Sequence, residues 1–312
     1  MRLLRSELQR ASARRLVRVS ALLIGMAVVV GGIVAFVSTS SLSELVFEQR
    51  VRTVTVQQRA ERAEIERCLA HQRSTPAASA QSGGGPKGCF PSHPIQRARD
   101  PRFHASRLRD ILQGSGGALA LVGWILGASL IGAEFSSRGL TTLLTFEPRR
   151  QRAFLAKASA SIVIAGAIGL AALLFLALVL LPALIAHGAP SNPGDPSIAS
   201  LSAVIGRGTG LTMLATALGF SIATLGRNTA AALGAGFAYI IVFENVLGGF
   251  LERWRRWLRW LLLGNAIVFL SGENSGGGVP GRSVAGAALF LAAITFTLLA
   301  GALIAFRTRD VA

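Results

Sequence analysis

The chain has 312 residues, 51% of them apolar and only 15% charged, with a mean hydropathy of +0.52. A soluble globule carries about 25% charged residues, so a soluble enzyme or binding domain of this size is excluded. Lys and Arg number 32 against 15 Asp and Glu, a formal charge of +17. In a soluble chain that would point to nucleic acid; here it is assigned to membrane topology, and no nucleic-acid partner is implied.

Residues 1–18 read MRLLRSELQRASARRLVR. Leu3, Leu4, Leu8 and Ala11 fall near one helical face among arginines, which predicts a basic amphipathic helix at the bilayer surface. The plainer alternative is a positive flank that only sets topology. Residues 19–37 are uncharged and open a series of runs near the roughly 20 residues that cross a bilayer. The others are 116–133, 158–186, 201–225, 229–250 and 284–306. The third is long enough to tilt, with Pro182 near one end; the fourth carries Arg207 and the fifth Glu244. A signal peptide is the rival reading of the N-terminus, but the apolar run is too long and Ser38-Thr39-Ser40 is a poor cleavage site.

Arginine sets the orientation. The stretch before the first span, the link between the second and third (Arg138, Arg149, Arg150, Arg152, Lys157), the link at Arg227, and the tail with Arg307 and Arg309 all fall on one side if six helices alternate. The positive-inside rule makes that side cytoplasmic; residues 39–115 are basic too, but a loop this long largely escapes the rule, and the segment after the fifth span is a second basic exception. The expectation is an all-α membrane protein with six transmembrane helices and cytoplasmic N- and C-termini.

Residues 38–115 form a long extracytoplasmic loop, polar and helix-forming over 41–70 and rich in Ser, Gly, Ala and Pro over 74–88. It holds both cysteines, Cys68 and Cys89. A disulfide between them would close a loop of about 20 residues and contribute roughly 3 kcal/mol by chain entropy; the alternative is two free thiols in a reducing compartment. Thiol-blocking reagents are expected to label the pair only after reduction, and equal labelling beforehand would rule out the bridge. Cys68, His71, Cys89 and His93 lack the paired short spacing of a zinc site, so no metal is expected. Residues 251–283 form an interfacial extracytoplasmic segment. Trp254, Trp257, Leu258 and Leu261 share a helical face beside Arg253, Arg255, Arg256 and Arg259, as in an interfacial belt. Residues 257–270 are short for a span, so a re-entrant or surface helix is expected there.

Soluble-enzyme motifs are absent. There is no G-x-x-x-x-G-K-[ST], H-E-x-x-H or G-x-S-x-G, so the chain itself is not expected to be an enzyme. Glu244, next to Asn245, is the one clear carboxylate inside a span, which makes it a functional candidate. The structural alternative is a partner of Arg253, Arg255 or Arg207 that fixes the outer end.

Residues 132–157 read GAEFSSRGLTTLLTFEPRRQRAFLAK. Leu140, Leu143 and Leu144 make an i, i+3, i+4 apolar face; Pro148 ends the helix, and Arg149, Arg150 and Arg152 follow. Such a segment either inserts into a groove on a soluble partner or lies on the membrane surface. The order Gly132, Glu134, Gly139-Leu140-Thr141, Leu143-Leu144, Pro148, Arg150, Lys157 resembles the signature of the ABC-type-2 permease family. That family commonly has Gly-Thr-Leu where this chain has Gly-Leu-Thr, and the long first outer loop is also less typical of it.

The resemblance implies a half-transporter in the bacterial plasma membrane, an exporter in kind. Residues 134–157 would be the cytoplasmic coupling segment, with Glu134, Gly139, Leu140, Leu143, Leu144, Pro148, Arg149 and Arg150 at the groove of an ABC ATPase subunit. Residues 1–18 would be an interface helix along the inner leaflet. ATP and Mg would bind the partner subunit, with no cofactor on this chain. A second permease, a copy or a related chain, would complete the pathway among membrane lipid. Two alternatives come from other classes: a proton-driven secondary carrier, which needs buried carboxylates, and a non-transporting sensor or scaffold acting through residues 38–115.

Overall fold

A computed structural model describes residues 2–41, single residues and pairs between 46 and 70, then 102–137, 149–189, 195–247, 260–273 and 281–308. The described residues are helical apart from turns, links and one isolated bridge. In chain order the elements are α1 (Arg2–Ser12), α2 (Arg15–Val37), α3 (Ala105–Ser136), α4 (Arg150–His187), α5 (Ile198–Gly226), α6 (Thr229–Ala238), a π-helical continuation of α6 (Tyr239–Leu247), α7 (Leu262–Ser271) and α8 (Val284–Thr308). The described residues between Val46 and Ala70 are helical as well.

Five helices, α2, α3, α4, α5 and α8, have 23, 32, 38, 29 and 25 residues and are apolar enough to cross a membrane. The chain is therefore a multi-pass membrane protein. At 1.5 Å per residue, α3 and α4 reach about 50 Å or more against a hydrocarbon core of about 30 Å, so both run past the apolar stretches that mark them in the sequence. Six spans were expected. The fifth, 229–250, is instead ten residues of α-helix followed by nine of π-helix, with 248–250 outside the described residues. Gly234 and Gly236, then the consecutive β-branched Ile240, Ile241 and Val242, weaken regular α winding there. Gly236 also leaves room for the Trp124 indole, which occupies the place a Cβ would take.

The centre of the bundle is the pair α3–α5. These helices run parallel and meet along a seam of small residues: Gly116 against Gly208, Gly123 against Thr212, and Gly127 against Thr216 and Phe220. Water drives no association between helices in lipid, so close backbone approach through small residues and dispersion has to supply it. The buried hydroxyls along the seam turn back on their own helix. Thr212 donates to the Gly208 carbonyl at 2.9 Å, Thr216 to Thr212 at 2.7 Å, and Thr224 to Phe220 at 2.8 Å, so no polar atom of theirs is stranded.

Around this pair lie α4, α8 and α6. At the end of the bundle bearing α1 and Arg227, here the basic end, Phe154 packs edge-on to Phe220 at 5.5 Å and against Phe306 at 5.6 Å. These rings join α4, α5 and α8 over buried Ala128, Ile131, Ala223 and Ala302. At the opposite, far end, Phe103 bridges to the end of α4: its N–H donates to the His187 carbonyl at 2.7 Å, and its carbonyl accepts from Ala189 at 3.1 Å. By contrast α2 buries only Val17 and Gly32. Ile24, Val28 and Ala35 are half-buried against the core, and most of its remaining surface, Leu22 and Val37 among it, is exposed.

Candidate functional site

Four charged residues, far apart in sequence, meet inside the basic end. Glu7 comes from α1, Arg14 from the turn before α2, Glu134 from the last turn of α3, and Lys157 from the third turn of α4. The Lys157 ammonium sits between the two carboxylates, 3.0 Å from Glu7 Oε2 and 2.9 Å from Glu134 Oε2. Arg14 pairs with Glu134 Oε1 and donates to the Leu130 carbonyl at 2.9 Å. Arg10 approaches Glu7 from the exposed side at 3.5 Å. Glu7, Glu134 and Lys157 are each 6% exposed, which makes this a buried network, not a surface pair.

Local sequence explains why these residues converge. Leu8 and Ala11 of α1 pack with Val17, Leu126, Leu130 and Ile164, which turns the Glu7 face inward. The amphipathic face expected to lie on the membrane thus packs on protein at Leu8 and Ala11; the side chains of Leu3 and Leu4 lie outside the described residues. Glu134 falls one turn after Leu130 on the buried side of α3, and Lys157 one turn after Ala153 and Phe154 on the buried side of α4. Two carboxylates against Lys157 and Arg14 leave the centre neutral, the condition under which buried ions persist. The void beside them is about 20 Å³, room for about one water. It is too small for a substrate, so the arrangement acts as a clamp: four chain segments are tied at one point.

The clamp grips both roots of the predicted coupling segment. Glu134 and Lys157 bracket residues 138–148, where Gly139, Leu140, Leu143, Leu144 and Pro148 lie outside the described residues. Arg149 stands at the start of α4, and Arg150 is its first residue. Glu134, expected on the ATPase-facing surface, points into the clamp. The sequence reading missed Glu7 and Arg14. A lone glutamate among six arginines in residues 1–18 was the available signal, because a carboxylate that breaks a basic run has partners close at hand.

A second polar constellation holds the far end. Helix α7 has ten residues, about 15 Å, too short to span. It packs against α3, α5 and α8, with Asn265 and Val268 fully buried. Both of its ends are capped by charge of the right sign. At its start Leu262 N–H donates to Tyr239 Oη at 3.0 Å and Leu263 N–H to Glu244 Oε1 at 2.7 Å. At its end Arg109 donates to the Ser271 carbonyl at 2.9 Å and pairs with Glu273 at 2.8 Å, while Gln113 donates to the same carbonyl at 3.3 Å. Gly272 closes the helix at φ +70°, and the Arg207 guanidinium lies against it where a side chain would stand. Anions at helix starts and cations at helix ends are both favoured by the helix dipole.

Arg207 therefore serves the end of α7, while Glu244 accepts from the backbone of its first turn. Arg253 and Arg255, the other expected partners of Glu244, lie outside the described residues, as do the side chain of Asn245 and the cysteines Cys68 and Cys89. The π-helical winding after Ala238 carries both Tyr239 and Glu244 to α7. Asn265 accepts from Arg282 Nε at 2.8 Å, and Arg282 lies 5.3 Å over the Phe290 ring, which fastens α7 to α8.

No protein-family model, curated protein or solved structure matches this chain.

Proposed function

We propose that this chain is the permease subunit of an ATP-driven ABC transporter, exporter in kind, which forms the membrane pathway and couples to a separate ATPase subunit. The carrying observation is the buried clamp of Glu7, Arg14, Glu134 and Lys157 at the two roots of residues 138–148. A segment that receives force from a soluble motor must be tied to the helices it moves. Here any displacement of 138–148 pulls on α3, α4, α1 and the start of α2 together. The resemblance of residues 132–157 to the ABC-type-2 permease signature supports the same reading, and the arginine distribution supports a cytoplasmic position for that segment.

In this reading Leu140, Leu143 and Leu144 enter the ATPase groove, Arg149 and Arg150 flank it, and Glu134 holds the segment's root. A second permease, a copy or a related chain, shares the pathway. ATP binding shifts the bundles between two arrangements only through contacts that differ between them. The proton-carrier alternative gains nothing here: Glu7 and Glu134 are occupied by cations, and Glu244 caps α7.

The test is co-purification from the native membrane. A stoichiometric ATPase is expected with the wild-type chain, and Leu143→Asp or Leu144→Asp should abolish its association or its stimulated hydrolysis while the chain stays in the membrane. A chain recovered alone under mild detergent, or wild-type transport in both variants, would sink the proposal.

A further inference from the structure

A groove of about 520 Å³ lies between α2, α3 and α4 and reaches the far end of the bundle. Helix α2 leans on α4 at Gly32, where the Val179 side chain fills the place of a Cβ. It is tied to the end of α4 where Thr39 Oγ1 meets His187 Nδ1 at 3.0 Å. Along the groove α2 and α3 stand apart. The walls are apolar, with Ile24, Val28 and Val34 from α2, Leu119 from α3, and Leu173 and Leu176 from α4. At the far end the lining turns polar at Ser38, Thr39 and Arg107. The Arg107 side chain is exposed and has no hydrogen-bond or ion-pair partner among the described residues.

We propose that this groove holds one anionic phospholipid, its acyl chain between α2 and α3 against α4 and its phosphate at Arg107. The inference requires only that the chain sits in a bilayer, so it stands apart from the ATPase reading. Dimensions select the occupant. From Ile24 to Ser38 the groove runs about 20 Å along α2, against about 15 Å for the hydrocarbon of one leaflet. A partner's helix would bring apolar surface to the walls but nothing that meets the Arg107 guanidinium, which an anionic headgroup does. A free phosphate would use Arg107 but none of the apolar walls. A lipid matches both features, with its headgroup at the level where α3 begins and its tail directed toward the middle of the bundle.

The groove can be filled without disturbing the fold, because a side chain added at Gly31 meets no protein atom within 4 Å. Ala27 offers a second exposed position on the same wall. The full chain, purified in detergent and equilibrated with equal amounts of phosphatidylglycerol and phosphatidylcholine, is read by native mass spectrometry. Wild type is expected to retain one phosphatidylglycerol per chain. Arg107→Gln should lower the preference over phosphatidylcholine about fivefold, the worth of one arginine near a headgroup. Gly31→Leu, or Ala27→Phe should the first not fold, should abolish retention of both lipids. The proposal is overturned if wild type holds no lipid, if a well-folded groove-filling variant holds as much as wild type, if Arg107→Gln leaves the preference unchanged, or if a polypeptide is retained in the lipid's place.

Discussion

Lys157→Met is expected to destabilise the folded chain by about 3–5 kcal/mol, the penalty for removing one partner from a buried ion pair. Among the described residues the ammonium is the only group that touches both carboxylates, at 3.0 and 2.9 Å. Without it Glu7 keeps only the exposed Arg10 at 3.5 Å, and Glu134 keeps Arg14. Two carboxylates would then face each other where the void admits about one water, and α1 would lose its deepest attachment. Arg10→Ala, which removes an exposed contact, should change stability by less than about 1 kcal/mol. Combining Lys157→Met with Glu7→Gln should cost less than the sum of the two, because the second change removes a charge the first has stranded. Thermal unfolding of the purified wild type and the four variants measures these differences. A Lys157→Met variant as stable as Arg10→Ala would mean that the clamp carries no strain and that α1 is held by Leu8 and Ala11 alone.

The other large effect is expected at the α3–α5 seam. Gly127→Leu places a branched side chain where the Thr216 carbonyl and the Phe220 backbone already stand. Overpacking by a few methylenes commonly costs about 1–3 kcal/mol where side chains can shift; here the obstacle is backbone, which cannot move without separating the helices. Gly219→Leu meets the Trp124 carbonyl from the other helix and should fail in the same way. Gly206→Leu on α5, where an added Cβ has nothing within 4 Å, is the control and should behave as wild type. Monodispersity after solubilisation distinguishes them. A monodisperse Gly127→Leu protein of wild-type stability would show that α3 and α5 do not meet this closely.

Several parts of the fold are visible in sequence because they follow from one-dimensional rules. A run of about 20 apolar residues must be a helix in lipid, since no other structure satisfies its backbone there. Residues 19–37, 116–133, 158–186, 201–225 and 284–306 are read correctly for that reason, and the ends of α3 and α4 are missed because polar turns carry no such constraint. The region 229–250 differs because composition measures apolarity and not winding. Its glycines and β-branched residues mark a weak helix, but the π-helical stretch and the approach of Tyr239 and Glu244 to α7 depend on what α7 offers them.

Sequence by itself determined that this chain is a helical membrane protein and where its long helices lie. These are sums over neighbouring residues, and the bilayer acts on each segment separately. Tertiary structure alone decided the pairings. Glu7, Arg14, Glu134 and Lys157 span 150 positions between first and last; local sequence marks Glu7 as unusual but says nothing of the distant partners it meets. The 35 glycines look alike in sequence, yet Gly127 bears a helix crossing while Gly31 lines a groove. Each depends on which surfaces the folded helices bring together, and that choice is made by packing and by charge neutralisation acting across the whole bundle.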